Sequence, residues 1–253
     1  MRPVRGFTII EVAVALFLLS LLFGSVFIPL RSQVDSRKVE ETERLLEKAR
    51  EALMGYALSR GYFPCPADAS SAGQEPTGTD HAAGTCPTHY GYVPAATLGF
   101  QPTDAQGYAV DAWGSRVRYA VSDQTVGPAS NTRAFTRVNG MRTGGIVTLG
   151  DPALALFHVC ASGTGVVAGA SCGTAQTLVS TAPVVIWSSG PNAMTGGTGV
   201  DEAQNPNRNG GSEDRLFVMR VRSAAPGNEF DDIVAWVPLT RLIGSMVAAG
   251  QLP

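Results

Sequence analysis

Arg5-Gly6-Phe7-Thr8-Ile9-Ile10-Glu11-Val12 leads into Ala13-Val14-Ala15-Leu16-Phe17-Leu18-Leu19-Ser20-Leu21-Leu22-Phe23-Gly24-Ser25-Val26-Phe27-Ile28-Pro29-Leu30, and the next charge is Arg31. The 19 residues 12–30 carry no charge. As a helix at ~1.5 Å per residue they span roughly 28 Å, close to the hydrocarbon thickness of a bilayer. A helical hairpin buried in a globule would need apolar neighbours on every side, and the flanking sequence does not offer them. A cleaved secretory signal would fit the basic start, Arg2 and Arg5, but the apolar run is long for one and no small-x-small site follows it. Glu11 stands at the leading edge of the run. A carboxylate inside a membrane helix costs roughly 2.5–3.5 kcal/mol even on lenient insertion scales. It therefore calls for a partner, or for an interfacial position, which its place near the end permits.

The helical pattern continues past Arg31. Residues 31–60 hold seven basic and six acidic side chains. Leu45, Leu46, Ala49, Leu53, Tyr56 and Ala57 recur at helical spacing and form one apolar stripe. Glu40 with Arg44, and Glu47 with Arg50, are spaced as i,i+4 and i,i+3 ion pairs. We expect one helix from about residue 8 to residue 59, loosened between Gly24 and Pro29, its second half lying on a globular domain by the stripe. From Gly61 onward the texture changes, and 26 of the 29 glycines and 14 of the 16 prolines fall there, which reads as short strands joined by many loops. Predicted strands are 117–121, 146–149, 155–160, 184–187, 216–221 and 233–237, with a β-like run at 174–181. A short amphipathic helix is predicted over 239–249, with Gly250 as its stop. Residues 161–173, rich in Gly, Ala and Ser, read as a flexible loop. The fold class is α+β: a long N-terminal helix, membrane half plus amphipathic half, packed on a C-terminal antiparallel β-sheet domain rich in loops. The divisions are 1–6, 7–30, 31–60 and 61–253.

The whole chain has 253 residues, 44% hydrophobic and 16% charged, with a formal net charge of −2. The low charge fraction excludes a disordered tail or a free coiled coil. The near-neutral balance excludes wholesale coating of nucleic acid.

The run from Arg5 to Val12, followed by a membrane-length helix, resembles the N-terminus of type IV prepilins and type II secretion pseudopilins. The resemblance implies cleavage after Gly6 by a prepilin peptidase and N-methylation of Phe7. Loss of Arg2 and Arg5 with residues 1–6 would take the net charge from −2 to −4. It gives Glu11 a role in assembly, as partner of the Phe7 amino group on a neighbouring subunit, since two charges in a low-dielectric core are tolerated only as a pair. It also implies residence in the bacterial inner membrane as a single-pass protein, with the C-terminal domain outside the cytoplasm, then in a pilus or periplasmic filament. The partners it implies are other pilins or pseudopilins, an inner-membrane assembly platform and membrane lipid. Asp111-Ala112-Trp113-Gly114 is similar to the Asp-x-Trp-Gly turn of pseudopilins, and Ile186-Trp187-Ser188-Ser189-Gly190-Pro191-Asn192 to the segment before their variable loop. The chain is much longer than a major pseudopilin, which favours a minor pilin. A pseudopilin of a type II secretion system is the alternative. An anchored periplasmic ligand-binding protein or enzyme is the alternative of another class.

Four cysteines in an exported domain read as disulfides. The pairs expected are Cys65 with Cys86 and Cys160 with Cys172, each enclosing one loop-rich segment. A zinc site at Cys65, His81, Cys86 and His89 is the competing reading. Gly169-Ala170-Ser171-Cys172-Gly173 matches a nucleophile elbow in letters, but an elbow needs a strand before it and a helix after it. No enzyme activity and no obligatory cofactor are expected. Calcium is the candidate ion, because Asp201, Glu202, Asn205, Asn207 and Asp214 crowd a Gly-rich loop with oxygen donors, and major pseudopilins carry calcium in a comparable C-terminal loop. Arg116, Arg118, Arg133, Arg137 and Arg142 give residues 112–142 a local charge of +4. That patch is a candidate for DNA, lipid head groups or a surface ligand, with Glu229, Asp231 and Asp232 as candidate acidic partners.

Overall fold

The structure is a computed structural model. It describes residues 8–127, 132–194, 199–206 and 213–252, and the side chains of 21–32 lie outside the described set. Two compact units divide the chain at residues 41 and 42.

The first unit is helical. Helix α1 runs over Ile9–Arg60, and its assignment continues through Gly24 and Pro29 without the expected loosening. Its apolar side chains at 9–19 are exposed, among them Ile9 at 89%, Leu16 at 62% and Phe17 at 63%. Among the described residues no helix is long and apolar enough to cross a membrane. The membrane half thus rests on the sequence of 12–30, more than half of which has its side chains outside the described set.

The second unit begins with the C-terminal part of α1. Leu45, Leu46, Ala49, Leu53, Met54 and Ala57 are all buried, as the apolar stripe predicts. They pack on a four-stranded antiparallel sheet in the order β1 (Tyr90–Tyr92), β2 (Arg118–Val121), β7 (Val184–Ser188), β9 (Ile233–Val237). Strand alternation sorts the two faces. Val117, Tyr119, Val121, Val184, Ile186 and Val237 join the core with α1 and with Leu242 and Met246 of helix α5 (Leu239–Ala248). Ala120, Val185, Trp187 and Val234 face the other way, against Phe157, Val159 and Phe217. Those belong to a second sheet in the order β6 (Thr177–Ala182), β5 (Phe157–Cys160), β8 (Leu216–Val218). The central sheet is therefore covered on both faces, which explains why β7 reads as an unbroken apolar run.

Small elements complete the unit: α2 (Ala95–Leu98), β3 (Thr125–Val126) paired with β4 (Thr132–Arg133), α3 (Gly140–Leu149) and α4 (Val200–Gln204). The mixed α/β class and the antiparallel main sheet match expectation. Several details differ. β5 and β8 pair in parallel. Residues 146–149 end helix α3 instead of forming a strand, with Val147 at 87% exposure, because a run of four apolar residues does not distinguish strand from helix. β8 stops at Val218, and Val221 is exposed. The segment 161–173 is pinned: Cys160 and Cys172 are disulfide-bonded, Gly169 N–H donates to Asp214, and Arg215 donates to the Gly169 carbonyl.

Candidate functional site

Gly6 and Phe7 lie outside the described residues. Thr8 and Glu11 show how the helix starts. Glu11 N–H donates to Thr8 Oγ1 at 3.3 Å, while Thr8 N–H and its hydroxyl both donate to Glu11 Oε2 at 2.9 Å. This is a reciprocal capping box, which satisfies two of the amide groups that a helix N-terminus leaves without partners. The pattern Thr8-x-x-Glu11 encodes it in the sequence. In the single chain Glu11 therefore has a partner on its own helix.

The two turn motifs meet. Asp111 Oδ1 accepts from Trp113 N–H at 2.9 Å and Ser115 N–H at 2.8 Å, and Gly114 adopts φ of 83°, so the turn closes tightly. Asp111 Oδ2 accepts from the Ser188 hydroxyl at 2.6 Å, and Gly190 N–H donates to Ser188 Oγ at 3.1 Å. Burial raises the Asp111 carboxyl above its ordinary range, although these hydrogen bonds pull the other way. Gly190, at φ of 57°, lies against Asp231, where a Cβ would come within 2.5 Å of Oδ1. A larger residue there would push Asp231 away.

Asp231 belongs to a buried acidic cluster. One oxygen each of Glu202, Asp231 and Asp232 lie within 4.8 Å of one another. Glu202 is 1% exposed and Asp232 is 4% exposed. Asn192 Nδ2 donates to Glu202 Oε1 at 2.6 Å and Asn205 Nδ2 to Asp232 Oδ2 at 2.8 Å. Glu202 Oε2 and Asp231 Oδ1 have no hydrogen-bond partner among the described residues. Burial, with the neighbouring Glu202 carboxylate, pushes Asp231 up to about 7, and burial raises Asp232 well above the usual range. Three such groups do not all stay ionised together without a cation.

The predicted calcium ligands do not converge. Asp201 is spent on the Ser162 hydroxyl at 2.8 Å, Gly163 N–H at 2.6 Å and an ion pair with Arg220 at 2.7 Å. Asn205 is buried and clamps β8 through both the N–H and the carbonyl of Val218. Asp214 accepts from Leu216, Gln204 and Gly169. Asn207 lies outside the described residues. Of the set, Glu202 belongs to the cluster, and Asn205 meets it only as an amide donor to Asp232. Neighbours on a helix point about 100° apart, and on α4 Asp201 turns to Ser162, Gly163 and Arg220 while Glu202 turns to Asn192 and the acidic cluster.

The arginine patch also divides. Arg133 bonds Asp123, and Arg137 donates to the Ala82 carbonyl and to Thr132. Arg116 pairs with Asp104 at 2.7 Å and lies 3.8 Å from the Tyr108 ring centroid. Arg118 sits between the Tyr92 and Trp187 rings, at 5.5 and 5.7 Å. Arg142 is exposed. Five residues that are close in sequence thus serve different neighbourhoods, because β2, β4 and α3 carry them apart.

Cys65 is bonded to Cys86 and Cys160 to Cys172, as expected, so no thiolate is left for the zinc arrangement. His81 instead places Nε2 2.8 Å from Glu75 Oε1 and Nδ1 2.7 Å from the Thr136 carbonyl oxygen. Burial opposes a charge on His81, but bonds to Glu75 and Thr136 outweigh it and raise its pKa above the ordinary 6.5. The stability this contributes is complete below about pH 6.5 and is lost as pH rises through the folded value. Urea unfolding should therefore show His81→Gln costing more at pH 6 than at pH 8.5. An equal cost at both pH values would contradict the ion pair. Ser171 of the elbow-like motif lies in a tight turn bridged to Val167 and is followed by a second-sheet strand, not a helix.

The model of the prokaryotic N-terminal methylation motif matches residues 1–27. The chain carries a prepilin-type N-terminus. This is the signature of the type IV pilins and pseudopilins, and it implies processing by prepilin peptidase and assembly with other pilins. No curated protein and no solved structure matches the chain.

Proposed function

We propose that the chain is a minor pilin, assembled through its N-terminal helix into a type IV pilus or pilus-like filament. The matched motif, followed by exposed apolar residues at the start of α1, carries this reading. In this mechanism the apolar helix leaves lipid for a core of other helices, and Glu11 exchanges its Thr8 cap for the Phe7 amino group of a neighbour. An alternative place in a type II secretion system is favoured by the two pseudopilin-like turns, which the Ser188–Asp111 bond joins. Deletion of the gene separates the two. A minor pilin is expected to be needed for surface filaments. Normal filaments with folded exoproteins trapped in the periplasm would transfer the assignment to secretion.

Calcium belongs in this reading at Glu202, Asp231 and Asp232. Hard oxygen donors suit that ion, and two of the oxygens have no other partner among the described residues. Bound calcium would offset two of the three carboxylate charges and hold α4 against the start of β9. At a concentration of 100 times Kd it should stabilise by about 2.7 kcal/mol, raising Tm by roughly 5–11 °C. Glu202→Gln should lose most of that response. A melting curve unmoved by calcium and by chelator would overturn this site.

A further inference from the structure

Register places Tyr92 on β1, Arg118 on β2 and Trp187 on β7 side by side across the central sheet. Further along, the same face is covered by the second sheet. Over Tyr92 and Arg118 the surface opens into a cleft of about 520 Å³, lined by these two with Trp113, Ser115, Arg116 and Met194 among others, while Trp187 is buried. The Asp111 turn fixes the backbone of Trp113 and Ser115 at one wall. Trp113 and Tyr92 are half-buried, so part of each ring stays accessible from the cleft, with the Arg222 guanidinium 5.8 Å from the Trp113 centroid and those of Arg116 and Arg118 5.7 and 5.5 Å from the Tyr92 centroid.

The cation in this cleft is incompletely balanced. Arg116 has Asp104. Arg118 has no carboxylate within 4 Å among the described residues, and its Nε has no acceptor there. The Tyr92 ring lies beside it at 5.5 Å, and Glu213 and Asp232 act on it only through space. A desolvated guanidinium without an ion pair is costly and is geometrically suited to a bidentate carboxylate. Aromatic walls beside it suit a flat body with apolar C–H faces, and the volume suits one or two rings.

We infer that this cleft binds an acidic saccharide, with the sugar carboxylate at Arg118 and a ring face against Trp113 and Tyr92. A nucleic-acid strand fits less well. It needs several phosphate contacts along a basic groove, whereas Arg133 and Arg137 are engaged elsewhere and the chain is acidic as a whole.

The test uses the full chain in detergent micelles, with binding followed by calorimetry. Digalacturonate and sialyllactose are the acidic probes, lactose is the neutral one, and an eight-residue oligothymidylate is the strand probe. We expect at least one acidic sugar to bind tenfold or more tightly than lactose. Arg118→Gln should abolish that preference, and Trp113→Ala should weaken the acidic probe about tenfold. Trp113 lies outside the buried core, on a turn, so its variant keeps the test valid if Arg118→Gln fails to fold. Equal binding of acidic and neutral sugars, or binding of neither, would overturn the inference. Tighter binding of the oligothymidylate than of either acidic sugar would overturn it in favour of a nucleic-acid ligand. The measurement needs no filament, so its failure would leave the assembly reading intact.

Discussion

Glu11→Ala is expected to leave the melting of the globular unit unchanged and to cut recovery of the chain in sheared filaments about a hundredfold or more. Removing one member of a desolvated ion pair costs roughly 3–5 kcal/mol, and each ~1.4 kcal/mol is a factor of ten. Glu11 lies in the first unit, so the second, from residue 42 onward, keeps its core. The substitution also removes the capping box with Thr8, worth about 1 kcal/mol of helix start. Glu11→Gln separates the two effects. Glutamine can still cap a helix in this position, but it cannot neutralise an amino group. The pairing mechanism therefore predicts that Glu11→Gln fails in assembly nearly as badly as Glu11→Ala. Incorporation of Glu11→Gln at the native level would reduce Glu11 to a helix cap.

Replacing both Cys160 and Cys172 by alanine is expected to lower the Tm of the globular unit by roughly 6–12 °C. The two cysteines are 12 residues apart, and closing a loop of that size stabilises by about 3 kcal/mol. For a unit of about 200 residues each kcal/mol moves Tm by about 2–4 °C. The location adds to the effect. Cys160 ends β5, the middle strand of the second sheet, and both sulfurs are buried against Leu216. Releasing the loop would also free Gly169 from Asp214 and Arg215. Scanning calorimetry checks the number, and a shift under 2 °C would contradict the staple role. Thiol titration of the denatured wild-type chain should find no free thiol.

Legibility of the fold followed the physics of each element. β2, β7 and β9 were readable because β-branched and aromatic residues cluster there and both faces are buried. The stripe from Leu45 to Ala57 was readable because one helix face meets a sheet. Residues 146–149 misled because their apolar character serves the end of a helix whose Ile146 and Val147 stay largely exposed. The parallel pairing of β5 with β8 depends on chain reversal through distant loops, and no local pattern encodes it. The acidic cluster has no local signal for the same reason: Glu202 and Asp231 are far apart in sequence, and only the fold brings them together. Tyr92, Arg118 and Trp187 likewise sit on three strands, and only register brings them together. By contrast, the N-terminal motif is contiguous, so it could be read whole.

Intact mass and N-terminal sequence of the chain recovered from sheared surface filaments, and from inner membrane, test the central claim most directly. The account predicts a chain in the filament fraction that begins at N-methylated Phe7 and lacks residues 1–6. A chain retaining Met1 in both fractions would contradict prepilin processing and the assembly mechanism with it.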